Sequence, residues 1–111
     1  MERLALYRQV LGQLVQEEAC RLPAMGEVEA IYLCDEAHDQ YQVLYLGWAH
    51  GERIFRVLCH LRVHEGKIWV ERDGTAEGIA TQLLEAGIPQ EDIVLAFHPA
   101  WKRPFTAFAV A

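Results

Sequence analysis

Histidine, tryptophan, lysine and arginine crowd the end of the chain, in the stretch HPAWKRPF at residues 98–105. A histidine can move protons, and basic side chains can hold a phosphate. Catalysis is disfavoured because this stretch has no nearby nucleophile, and phosphate binding is disfavoured because two positive charges make only a small patch. Its two prolines restrict the backbone. We therefore predict a mainly structural ending, with an exposed corner of Trp101, Lys102 and Arg103 available to contact a partner.

Two histidines, His60 and His64, have a spacing that chemistry could use. On a helix, residues four apart place two imidazoles side by side, as in zinc proteases. The segment 53–64 alternates in the manner of a strand, however, and there the two rings lie roughly 13 Å apart, too far to share an ion. The acidic turn 35–39 lacks the length, glycine and terminal glutamate of a calcium loop. We predict no metal site and no cofactor.

Nucleophiles are scarce in this chain. It contains no serine, and its three cysteines, Cys20, Cys34 and Cys59, are an odd number at wide spacing, which excludes a disulfide framework. Each lies in an apolar run, where cysteine behaves as a small hydrophobe. Cys59 is next to His60, but neighbouring strand residues point to opposite faces. We predict no catalytic residue, and an enzyme built on His98 or His60 is the least favoured hypothesis.

The segment 53–64 also suggests a basic stripe. Simple alternation puts Arg56, His60 and Arg62 on one face of a strand, with Trp48 and Trp69 on neighbouring strands. Three interpretations remain open: a solvated sheet face, a protein interface, or a surface for nucleic acid. The net charge of −6, from 16 acidic and 10 basic residues, disfavours the last.

Periodicity predicts one α+β domain over residues 1–111. A helical pattern ends at Pro23 and Gly26, and period-two segments separated by turns follow it. We predict a two-layer sandwich: an N-terminal helix, a four-stranded antiparallel meander, a second helix, and one or two further strands, with both helices on one face of an antiparallel sheet. The predicted strands cover residues 28–35, 41–48, 53–64, 67–72, 93–97 and 105–111, and the second helix lies within 75–86.

The N-terminal residues lack a signal-peptide core, and no apolar run is long enough to span a bilayer. We therefore expect a cytoplasmic protein that does not enter a membrane. An exposed sheet face or sheet edge also makes a homodimer the expected assembly.

Several motifs, in this order along nearly the whole chain, resemble the XisI family. The segments are YRQVLGQLV at 7–15, GW at 47–48, GKIWV and DGT within 66–75, GIPQEDIVLAFHP at 87–99 and FTAFAV at 105–110. The chain departs from the family pattern at four positions. It has Ala76 and Ala107 where the family often has glutamate, Ala96 in place of glycine, and Phe105 in place of tyrosine.

The resemblance implies a controlling factor for excision of the fdxN element, a DNA segment removed during heterocyst development in cyanobacteria. It further implies action beside a site-specific recombinase and an XisH-like, nuclease-related partner. The family has no established catalytic residue that could be transferred to this chain. Contact with nucleic acid would then be indirect. The alternative is an accessory protein that binds DNA directly through the basic stripe.

Overall fold

The chain folds into one five-stranded sheet with two helices packed on one of its faces. The computed structural model describes residues 2–21 and 27–110, so the predicted helix stop at Pro23 and Gly26 lies outside the described residues. The elements are α1 (Glu2–Arg21), β1 (Glu27–Asp35), β2 (Gln40–Ala49), β3 (Glu52–His64), β4 (Lys67–Asp73), α2 (Ile79–Glu85) and β5 (Ile93–Leu95), with short 3-10 turns at Gln90–Asp92 and Arg103–Phe105.

The strands follow one another across the sheet in chain order, β1-β2-β3-β4-β5. The first four pair antiparallel, which confirms the predicted meander. β5 instead pairs parallel with β4, so the expectation of an entirely antiparallel sheet is wrong at this edge. The connection through α2 returns the chain to the starting end of β4, and such a crossover produces a parallel neighbour. The possible sixth strand is reduced to one bridge between Val94 and Ala109.

Both helices lie on the face of the sheet that we call the inner face. The helical spacing of Tyr7, Leu11, Leu14 and Val15 turns one side of α1 toward the sheet, and all four side chains are buried. Ile79 and Leu83 of α2 and the inner-facing strand residues complete the same core. The predicted two-layer α+β architecture is therefore confirmed, and neither α1 nor α2 lies over the opposite, outer face.

A β-bulge divides β3 into two halves. Val43 pairs with Cys59, but the next residue of β2, Leu44, pairs with Val57, so Leu58 is an extra residue in β3. An extra residue reverses the alternation of side chains beyond it. Outer-facing positions of β3 are therefore even-numbered after Leu58 and odd-numbered before it.

Gly47 allows β1 and β2 to approach closely near the ends of their pairing. Its φ is +147°, and a Cβ atom there would lie 1.9 Å from the carbonyl oxygen of Glu27. Only glycine meets both conditions without strain. The neighbouring Trp48 pairs with Glu27 at this point of the sheet.

No helix among residues 2–21 and 27–110 is long and apolar enough to cross a membrane.

Candidate interaction surfaces

The outer face over β1, β2 and β3 exposes a row of apolar side chains. We call this surface the open face. Phe55 is 68% exposed and Trp48 is 52% exposed, although both are large hydrophobic residues. Arg53 lies over both rings, with its guanidinium carbon 5.8 Å from the Trp48 centroid and 5.9 Å from the Phe55 centroid. The apolar members of the open face are Ile31, Leu33, Leu44, Leu46, Trp48, Phe55 and Val57.

Arg56 is not on the open face, so the predicted basic stripe is wrong as a single surface. Because of the bulge at Leu58, Arg56 pairs with Tyr45 on the inner side of the sheet. Its guanidinium lies 5.2 Å from the Tyr45 ring centroid. His60 and Arg62 remain on the outer side, where they pair with Gln42 and Gln40. Only two of the three predicted residues therefore share a face.

The two remaining members of that stripe contribute little free positive charge. Burial lowers the pKa of His60 below its usual value, which favours the neutral ring at pH 7. Its Nδ1 lies 2.9 Å from Gln42 Oε1 and its Nε2 lies 2.7 Å from Gln40 Oε1. Arg62 donates from Nε to Glu71 Oε2 at 2.7 Å. An arginine paired in this way is partly neutralised as a phosphate ligand.

The outer face over β4 and β5 is covered by the chain's own C-terminal segment, residues 96–110. Two guanidinium groups lie near the ring of Trp69, with the central carbon of Arg62 at 5.4 Å and that of Arg103 at 5.5 Å from its centroid. Trp69 also donates from Nε1 to the carbonyl oxygen of His64 at 3.1 Å. Val94, which pairs with Trp69 in the sheet, is completely buried. Two predicted site residues, Arg62 and Arg103, thus meet on one tryptophan.

Arg103 holds the C-terminal segment in place. Its Nε donates to the carbonyl oxygen of His98 at 3.0 Å and its NH1 donates to that of Val110 at 3.3 Å. The amide of Ala109 donates to the carbonyl oxygen of Ile93 at 2.9 Å, beside the bridge to β5. The predicted structural role of the ending is consistent with these contacts, and Arg103 is its main anchor.

The same anchored segment projects large side chains outward, on a surface that we call the aromatic corner. Trp101 is 71% exposed, Phe105 is 84% exposed, and Phe97 is also exposed. Lys102 is exposed beside Trp101, whereas Arg103 is only partly accessible. The predicted corner therefore separates into Trp101 and Lys102, which face outward, and Arg103, which faces the sheet.

The cysteine and histidine positions offer no assembled catalytic geometry. Cys59 is buried, as predicted, and burial raises the pKa of its thiol to about 12. Cys20 and Cys34 are exposed, although each lies in an apolar run of the sequence. Within the described parts of the chain, no group of three or more His, Cys, Asp or Glu side chains could hold a metal ion.

Sequence reasoning missed the apolar residues of the open face and two aromatic residues of the corner, Phe97 and Phe105. One signal was available for the open face. The segment YQVLYLGW of β2 is apolar at both odd and even positions. A strand with helices on one face only needs another cover for its second apolar face.

The comparisons with known proteins agree on one family. The family model described as XisI protein matches residues 1–110. The chain is similar to the crystal structure of the fdxN element excision controlling factor XisI from Anabaena variabilis, with 35% identity, a TM-score of 0.85, and 98% of this chain and 99% of that chain covered. It is also similar to a XisI-like protein from the same organism, with 31% identity, a TM-score of 0.91, and 97% and 99% covered.

No curated protein matches the chain. The family match extends over nearly the full length, and both solved structures share the fold and more than 30% of the sequence. The chain therefore belongs to the XisI family.

Proposed function

We propose that this chain is a non-catalytic controlling factor in excision of a DNA element, and that it acts by binding a protein partner through the aromatic corner. The partner we infer is an XisH-like, nuclease-related protein, with the excision chemistry left to a site-specific recombinase. The name of the solved relative, an excision controlling factor, supports the first part. The exposure of Trp101 and Phe105 on an anchored segment is the observation that supports the second.

Anchoring makes the corner suitable for binding. Exposed tryptophan and phenylalanine side chains lose water on association and are frequent hot spots of protein interfaces. The backbone that presents them is already ordered, by turns in which Lys102 N donates to Pro99 O and Phe105 N donates to Lys102 O. An ordered segment loses less conformational entropy when it binds.

The acidic net charge of this chain favours a basic partner. The chain has a net charge of −6, and a protein that handles DNA presents a basic surface. Opposite net charges accelerate encounter and favour the correct partner. The complex should therefore form faster at low ionic strength, whereas the contacts of the aromatic corner should set its lifetime.

The proposal can be tested by co-expressing the chain with the XisH-like protein encoded nearest to it in its genome. We expect a stoichiometric complex by tagged pull-down and size-exclusion chromatography. Trp101→Ala should weaken that complex by about 30-fold, the loss of one hot spot. Leu84→Ala, at an exposed apolar residue of α2 outside both the aromatic corner and the open face, is the control and should bind like the unaltered chain.

Two results would contradict the proposal. One is the absence of any complex between the two purified proteins at low salt. The other is a complex that Trp101→Ala and Phe105→Ala leave unchanged, which would move the contact to another surface.

Direct DNA binding has less support from the positions of the basic residues. Arg56 lies on the inner side, and Arg62 is paired with Glu71. The open face also includes the acidic side chains of Glu27 and Glu29, because both pair with outer-facing residues of β2. Affinity for duplex DNA that falls steeply with added salt would restore this alternative.

A further inference from the structure

The open face has a regular order that the pairing of β1, β2 and β3 makes visible. Residues that pair across three antiparallel strands lie side by side on the same face. Five such rows cross the open face: Glu27-Trp48-Arg53, Glu29-Leu46-Phe55, Ile31-Leu44-Val57, Leu33-Gln42-His60 and Asp35-Gln40-Arg62. The first and last rows each have a carboxylate on β1 and an arginine on β3, and the rows between are mainly apolar.

We propose that a second copy of this chain covers the open face, in a twofold dimer whose axis runs along β2. Rotation about such an axis keeps every row at its own level and exchanges β1 with β3. Glu27 of one copy then lies opposite Arg53 of the other, and Asp35 lies opposite Arg62. The apolar middle rows face each other, with Leu44 and Leu46 close to the axis.

The charge pattern favours this axis over a twofold axis that lies in the plane of the interface and runs perpendicular to β2. An axis perpendicular to β2 would keep β1 over β1 and exchange the first row with the last. Glu27 would then meet Asp35, and Arg53 would meet Arg62, which places like charges together at both ends. Like-charge contacts across an interface are strongly unfavourable. The axis along β2 is therefore the arrangement in which the surface complements itself.

Shape supports the same axis. A shallow cleft of about 460 Å³ is lined by Glu27, Val28, Glu29, Leu46, Gly47 and Arg53, at the β1 end of the first two rows. Phe55, at the β3 end of the second row, projects farther into solvent than any other apolar residue of the open face. The rotation that exchanges β1 with β3 brings Phe55 of each copy over this cleft on the other copy. A projecting ring and a recess thus occupy positions related by the axis.

The dimensions of the face are sufficient for a dimer of modest stability. Three strands and five rows span roughly 30 Å by 14 Å at ordinary strand spacings. Two such faces bury on the order of 1,000 Å², near the lower end of specific interfaces. Sheets packed face to face lie about 10 Å apart at about −30°. Long side chains such as those of Glu27 and Arg53 can still reach each other when the two sheets are rotated by that angle.

The two charged rows are not equivalent. Arg62 already donates to Glu71, and Asp35 accepts from His38 within its own chain. No salt bridge within the described residues involves Glu27 or Arg53. The row of Glu27 and Arg53 is therefore the one whose charges are best placed to act between copies, and it is the row to test.

The test is a charge exchange followed by light scattering and sedimentation of the full chain. The unaltered protein should have twice its monomer mass of 12.7 kDa. Glu27→Arg and Arg53→Glu, each alone, should weaken the dimer by about tenfold, because each places like charges together at two related contacts. The double variant Glu27→Arg/Arg53→Glu should restore the dimer, since the pairs are re-formed with reversed sign.

A second variant acts at the axis. Leu44→Glu brings two carboxylates together among apolar side chains and should weaken the dimer at least 100-fold. Leu84→Glu is the matched control, because Leu84 is an exposed leucine of α2, away from the sheet, and should leave the dimer intact. Circular dichroism verifies that both variants fold.

Three outcomes would overturn the proposal. The first is an unaltered protein that is monomeric at about 100 µM, where an interface of this size should associate. The second is a dimer that Leu44→Glu does not weaken. The third is a dimer that Glu27→Arg tightens, which would indicate the perpendicular axis and its contact between Glu27 and Asp35. None of these outcomes depends on an XisH-like partner.

Discussion

The two halves of the outer face are treated differently by the same chain. Over β4 and β5, Trp69 lies beneath the C-terminal segment and Val94 is completely buried. Over β1 and β2, Leu33 and Trp48 face outward and remain 45% and 52% exposed. An apolar sheet face gains stability only when another layer covers it. Folding of the chain therefore covers the outer face over β4 and β5, whereas the outer face over β1 and β2 can be covered by association with another molecule.

The inner side of the sheet shows a related difference between these halves. Behind the covered half, the hydroxyl of Tyr7 donates a hydrogen bond to Asp92, directly before β5. Behind the open half, the hydroxyl of Tyr41 on β2 is buried and, among the described residues, has no hydrogen-bond partner. A buried hydroxyl without a partner has lost its hydration and gained nothing in return. In the covered half, the apolar outer side chains are therefore covered and the inner tyrosine hydroxyl has a hydrogen-bond partner.

The largest expected effect comes from exchanging tryptophan for alanine in each half. Trp69→Ala should lower the free energy of unfolding by about 3 kcal/mol, because it removes the ring on which Arg62 and Arg103 both lie. Trp48→Ala should cost less than about 0.5 kcal/mol, since its ring is mostly exposed. Urea denaturation of both, in the Leu44→Glu background so that association does not contribute, measures the difference. Equal losses would contradict the comparison.

A smaller effect is expected from the anchor of the C-terminal segment. Arg103→Ala should cost about 1–2 kcal/mol, because it removes the hydrogen bonds to the carbonyl oxygens of His98 and Val110. It should also speed hydrogen exchange at the amide of Ala109. The exchange rate at Ala109 would stay the same if the change acted only at the position of the guanidinium. Arg103→Lys should restore little, because an ammonium group lacks the planar fork. Arg53→Ala, on the open face, is the control and should cost less than Arg103→Ala when both are measured in the Leu44→Glu background, where no contact between copies contributes.

The two tyrosines are expected to have effects no larger than that of Arg103, and the sign differs between them. Tyr7→Phe should destabilise the fold by about 1–2 kcal/mol, because Asp92 loses its donor. Tyr41→Phe should be neutral or stabilising by up to about 1 kcal/mol, because the hydroxyl that it removes has no partner. Urea denaturation at pH 7 measures both. Equal destabilisation by the two changes would show that Tyr41 has a partner after all.

Alkaline pH extends this comparison. Burial is the main cause that raises the pKa of Tyr7 and of Tyr41 to about 12, from 10.0. Because the folded protein holds these protons more tightly than the unfolded chain, their contribution is complete below about pH 9 and is lost as the pH rises toward 12. The free energy of unfolding should therefore fall between about pH 10 and about pH 12, and Tyr41→Phe should make that fall shallower. An unchanged slope would contradict the assignment.

Much of the fold could be predicted because its elements follow strong periodic signals. The apolar spacing of α1, the alternation of the strands and the glycine and proline punctuation gave the order of helices and strands correctly. The direction of β5 was not expected, although the helical segment before it already favoured a crossover. The C-terminal anchor was foreseen in outline, while the stacking of Arg103 on Trp69 depends on packing between distant segments.

The candidate site was predicted less well for a specific reason. Placing Arg56 beside His60 and Arg62 assumed uninterrupted alternation along β3. A bulge adds one residue without a break in apolar composition, and Leu58 resembles its neighbours Val57 and Cys59 in character. The same assumption hid the outer apolar residues of β3, because uninterrupted alternation puts Phe55 and Val57 on the face opposite to that of His60 and Arg62.

The extra residue at Leu58 also changes how insertions and deletions in this strand should be understood. A shift of one residue reverses the face of every side chain beyond it. Deleting Leu58 would bring Arg56 to the outer surface and turn Phe55 and Val57 inward. The loss of one residue would thus exchange the faces of all six side chains at positions 52–57. The strand therefore has two registers that meet at a single residue. A relative without the extra residue would present the same surface only if the alternation of its apolar and polar residues were reversed on one side of that position.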